Sequence, residues 1–160
     1  MTTPLLMLLI LTLPLLANRL VGRTAAPAAT EAAAAWGLGL VFLFTASGHF
    51  VQAEAMTQML PPWVPLRLAL VHATGVLEIA IALGLFTRRW RTAAAFAAAT
   101  VLIAFFPANV YAALQHAPMG GHAWGPVYLL VRAPLQLILL GWTWGFLLRG
   151  RTPKRMPSRA

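Results

Sequence analysis

Apolar residues run through this chain in long blocks, and polar residues collect at the ends of those blocks. The first block, 4–21 (PLLMLLILTLPLLANRLV), ends beside Arg19 and Arg23. The second, Trp36–Gln52, reads WGLGLVFLFTASGHFVQ, with small residues at Gly37 and Gly39 that let helices approach closely. The third, Leu66–Phe86 (LRLALVHATGVLEIAIALGLF), closes on Arg88, Arg89 and Arg91. The fourth, Ala93–Gln115, opens on a run of alanines and carries Pro107 in its interior. The fifth, Pro126–Leu148, carries Pro134 and leads into a tail with Arg149, Arg151, Lys154, Arg155 and Arg159. A helix of about 20 apolar residues crosses a hydrocarbon layer of about 30 Å. The pattern therefore predicts an all-α, polytopic transmembrane helical bundle of five spans.

The segments between them complete the layout. Residues 1–23 form an N-terminal transmembrane helix, retained as an uncleaved anchor. The competing reading is a cleaved secretory signal, which would leave four spans with both ends cytoplasmic. Residues 24–35 form a small-residue linker in which Glu31 is solvated. Residues 36–149 form a four-helix membrane domain, and 150–160 a basic cytoplasmic tail. Between the second and third spans, Pro61, Pro62 and Pro65 forbid a continuous helix, and Trp63 anchors the turn at the headgroups.

Composition agrees with the periodicity. Hydrophobic residues make up 60% of the chain and charged ones 9%, against roughly 25% charged in a soluble domain. The net charge of +9 does not point to nucleic acid, because the basic residues sit at span ends and not along one exposed face. Two follow the first span, three the third, and five occupy the tail. Counted as cytoplasmic loops, they place the N-terminus outside and the C-terminus in the cytoplasm. The chain has no cysteine, which excludes disulfides and thiolate chemistry of its own.

Within the apolar blocks a few polar residues stand out. Glu78 is one of three acidic residues, and it lies about 15 Å from either flank of its span, near the midplane. A charge there is costly unless paired, hydrated or protonated. Thr45, His49 and Gln52 share one helix face, as do Tyr128, Arg132 and Gln136. His72 is rotated about 120° from Glu78 on the same helix. Asn109 follows Pro107 closely enough to satisfy the carbonyl of Ile103 that the proline frees. Together His49, His72, Glu78, Asn109 and Arg132 are the candidate ligand-binding or proton site, in a polar pocket that opens outward with Glu78 at its floor. Glu78 is equally a candidate structural partner of Arg132. His116 and His122 are expected to be solvated. No short-spaced ligand pair fixes a metal, and no nucleophile triad, phosphate loop or dinucleotide fingerprint occurs.

Several motifs carry a family resemblance: SGHF at 47–50, MLPPWVP at 59–65, TGVLEIAIALGL at 74–85, FPANVYAAL at 106–114 and RAPLQ at 132–136. In this order they resemble the DoxX-like family of small bacterial membrane proteins, over about Trp36 to Arg149. The resemblance implies a four-helix transmembrane core, to which the first helix here is an addition. It also carries over His49, Pro61, Pro62, Glu78, Pro107, Asn109 and Arg132 as motif positions. Relatives of that family are associated with thiosulfate:quinone oxidoreduction, methylamine utilisation and responses to oxidative or thiol stress. The implied function is an accessory subunit of a membrane redox system, not catalytic alone, that binds a small molecule such as a quinone beside a redox partner protein in the lipid bilayer. A proton-coupled transporter and a purely structural membrane anchor are the alternatives.

Overall fold

A computed structural model describes residues 2–21 and 27–149. Every regular element in it is helical. Helix α1 runs Thr2–Leu20, α2 Pro27–Val51, and a short α3 Ala53–Thr57. Helices α4 (Arg67–Phe86) and α5 (Arg91–Leu114) form a tight hairpin. Next comes a 3₁₀ segment, His122–Tyr128, that feeds α6 (Leu129–Trp142) and a final π turn, Thr143–Leu148. Five of these helical stretches are long and apolar enough to cross a membrane, the last being His122–Leu148 taken whole.

Helix α2 starts earlier than the sequence predicts. Pro27 opens it, so residues 27–35 are helix and not linker. Proline suits a first helical turn because its missing N–H would lack an intrahelical partner there, and alanines then carry the helix forward. Glu31 is only partly solvated. Its carboxylate lies 3.4 Å from a terminal nitrogen of Arg91, which is itself buried and donates from Nε to the Leu85 carbonyl. The expected basic tail, 150–160, and Arg23 lie outside the described residues.

Small residues set the helix spacing. A Cβ at Gly37 would run into the backbone of Leu11, so α1 lies directly on α2. A Cβ at Gly39 would strike the Phe86 ring, which instead stacks on Trp36 with centroids 4.4 Å apart. On the hairpin, a Cβ at Gly84 would come within 2.8 Å of Ala94 Cβ. In an apolar solvent such close packing replaces the hydrophobic effect as the force between helices.

The core fills the half of the bundle nearest the Thr87–Trp90 turn. Leu38, Leu85, Ala95, Ala98, Leu139 and Leu147 are almost wholly buried there. Trp142 ties that end by donating its indole N–H to the Ala34 carbonyl. The opposite half is looser, and there the polar side chains meet.

Candidate functional site

A cavity of about 710 Å³ opens between α2, α4, α5 and α6. Its walls are mostly apolar, with Val41, Phe42, Val101, Phe105 and Leu139 among the lining residues. Thr3 and Met7 of α1 close one side, and Met56, Met59 and Met119 line it as well. Four methionines therefore face one space, a soft and adaptable lining.

Two polar groups are set into these walls. In the first, Glu78 is only 5% exposed, yet its carboxylate is held from α2. Thr45 donates its hydroxyl to Oε2 at 2.7 Å, and His49 Nε2 faces Oε1 at 3.7 Å. His49 is held in turn by α4: its Nδ1 lies 2.8 Å from the Val71 carbonyl and 3.0 Å from the Thr74 hydroxyl. Gly75 makes this approach possible, since a Cβ there would sit 2.7 Å from His49 Cβ. Because a carbonyl can only accept, the hydrogen belongs on Nδ1. Nε2 then turns a lone pair to the carboxylate unless a proton lies on one of them. His49 and Glu78 thus form a pair suited to hold one proton between them, at the wall of the cavity.

The second group joins α5 and α6. Arg132 donates from Nε to Asn109 Oδ1 at 2.9 Å, and Asn109 donates from Nδ2 to the Phe105 carbonyl at 2.8 Å. Gln136, one turn along, donates to the Leu102 carbonyl. Tyr128 and His122 complete this side. Backbone conformation brings His122 in: Gly121 and Gly125 both adopt positive φ, at 98° and 70°, and a Cβ on Gly121 would meet the Tyr128 ring at 2.5 Å. The imidazole packs edge-on against Tyr128, with centroids 4.9 Å apart, and its Nδ1 bonds the Met119 carbonyl.

Four of the five sequence-predicted residues, His49, Glu78, Asn109 and Arg132, line this cavity. His72 does not. Its ring stacks on Phe50, 5.7 Å away and tilted by 5°, outside the cavity wall. Two expected pairings and one expected exposure change. Glu78 and Arg132 do not form an ion pair, because each is taken by nearer partners, Thr45 with His49 and Asn109 respectively. Asn109 caps the carbonyl of Phe105, one turn behind it, and not that of Ile103. His122 is buried at 4% exposure and not solvated, whereas His116 is exposed as expected. The sequence did hold a signal for His122: Gly120, Gly121 and Gly125 surround it, and such a glycine-rich turn can fold a side chain back onto the bundle.

Among the described residues no three His, Asp or Glu side chains gather as a metal site requires. A family model described as Domain of unknown function (DUF8561) matches residues 38–147. That span takes in both of the polar groups described above, Glu78 with Thr45 and His49 and Arg132 with Asn109, and leaves out α1. Comparison with curated proteins finds no match, and comparison with solved structures finds none either.

Proposed function

The chain belongs to the DUF8561 family, whose description assigns no activity, and from that premise we propose that it is a multi-pass membrane protein that binds a quinone headgroup as an accessory subunit of a redox system. The observation that carries this is the pairing of an apolar cavity of about 710 Å³ with two separate polar groups on its wall. Ligand sites commonly combine such a volume with a few convergent polar groups. The apolar walls suit a ring and its tail, and Arg132 can donate to a carbonyl oxygen. Reduction of a quinone consumes protons together with electrons. The redox partner supplies the electrons, and the His49–Glu78 pair stands where a proton can be exchanged with the ring. The DoxX-like core and the orientation with the basic turns in the cytoplasm of a bacterial inner membrane belong to the same proposal.

The test is native mass spectrometry of detergent-purified protein, with identification of the lipid that co-purifies. A stoichiometric quinone, lost in a folded Glu78→Gln variant, supports the proposal. Folded wild-type protein that carries no quinone and takes none up on addition overturns it. The approach of His49 to Glu78 within 3.7 Å on the cavity wall also favours a second reading, proton-coupled transport. Flux of a solute together with protons in proteoliposomes would be its signature.

A further inference from the structure

We infer that the cavity's ligand carries a negatively charged oxygen on an apolar body, and that this oxygen docks on the terminal nitrogens of Arg132. The inference deepens the quinone reading, since it specifies the charge of the head that the same cavity takes.

Charge complementarity leads to it. Glu78 is the only Asp or Glu that lines the cavity among the described residues, and Arg132 the only Lys or Arg. The carboxylate makes no contact with the guanidinium. One of its oxygens accepts from Thr45 at 2.7 Å, and the other faces His49 at 3.7 Å. Arg132 therefore has no acid in contact with it in a largely apolar space. Its described contact is the neutral amide of Asn109, through Nε alone, so its two terminal nitrogens bond to nothing in the described residues. Those nitrogens form the planar fork that suits two oxygens of an anion.

A second polar atom stands on the same side of the cavity. His122 Nε2 is buried and has no hydrogen-bond partner, while Nδ1 is committed to the Met119 carbonyl. A buried polar atom without a partner is costly, and a ligand group that meets it removes that cost. With its hydrogen on Nδ1, the ring offers a lone pair at Nε2, which can accept from a neutral hydroxyl or N–H elsewhere on the ligand but not from the charged oxygen that Arg132 takes. The same oxygen-bearing, anionic chemistry occurs in a fatty acyl carboxylate and in an ionised hydroxyquinone, and binding must separate them.

The experiment compares matched probes on the full chain in detergent. Decanoate is titrated against methyl decanoate, and an ionised hydroxynaphthoquinone against its methyl ether. An uncharged naphthoquinone is run in parallel as the test of the broader quinone reading. A charge-assisted hydrogen bond lost with the anion predicts that the ionised member of at least one pair binds about tenfold or more tightly than its neutral partner. Whichever pair shows the effect names the source. In Arg132→Gln the preference should vanish, and in Arg132→Lys part of it should return. If both neutral partners bind wild-type protein as well as the anions do, this inference fails, whatever the variants' folding. Binding of the uncharged naphthoquinone in that case leaves the quinone reading intact. Failure of every probe removes both.

Discussion

Glu78→Gln and Glu78→Ala separate the two things a buried carboxylate can do. Glutamine keeps the shape and both contacts. Its amide oxygen can accept from Thr45, now 2.7 Å from Oε2, and its amide N–H can donate to His49 Nε2, now 3.7 Å from Oε1. The exchange costs the charge-assisted part of one hydrogen bond and relieves the burial of a carboxylate. The net loss should be under about 1 kcal/mol. Alanine removes both contacts and leaves a void. Thr45 can fall back on the carbonyls of Val41 and Phe42, at 3.2 and 3.1 Å, but His49 Nε2 is stranded. Stranding a buried polar atom and emptying the space beside it should cost about 2–4 kcal/mol. Equilibrium unfolding against SDS mole fraction measures both variants on one scale. The proton-exchange role predicts that Glu78→Gln is nearly as stable as wild type yet loses its ligand or activity. If Glu78→Gln unfolds as readily as Glu78→Ala, the charge itself holds the bundle, and the site reasoning is refuted.

Other consequences are equally accessible. Gly37→Ala forces a Cβ into the Leu11 backbone and should destabilise the protein by about 1–3 kcal/mol; Gly141→Ala, where a Cβ meets nothing within 4 Å, should be neutral or stabilise by up to about 1 kcal/mol. The same unfolding assay compares them, and equal losses would show that α1 does not seat on α2 in this way. Leu66 is 81% exposed and holds a left-handed conformation at φ 50° before α4. Leu66→Gly should therefore raise stability by about 0.5–1 kcal/mol, and a loss would place strain elsewhere in that turn.

The sequence made the helices legible and left their mutual rotation hidden. Length and hydropathy alone mark the five apolar stretches, and spacing alone puts Thr45 with His49, and Tyr128 with Arg132 and Gln136, on common faces. Which face meets which depends on contacts such as Gly75 against His49, and a periodicity carries no such information. Depth along the membrane normal suggested Arg132 for Glu78, but Thr45 and His49 lie on the adjacent helix and leave the acid engaged. Helix ends were misjudged where small residues dominate, as at 27–35, because alanine runs suit helix and linker alike. Arg91 was read with its neighbours as a cytoplasmic cation, although it turns inward to Glu31 and Leu85.

The methionine lining gives the cavity its own recorder. Met7, Met56, Met59 and Met119 come from two helices and two loops, and they converge on one space. A thioether that meets peroxide gains one oxygen and keeps it until a reductase removes it. A brief peroxide pulse followed by peptide mass mapping would therefore write the accessibility of each wall into a separate peptide. A molecule that occupies the cavity should shield these sulfurs together, whereas one that settles on the outer surface of the bundle should leave their labelling rates unchanged. Occupancy becomes readable residue by residue before the occupant has been identified.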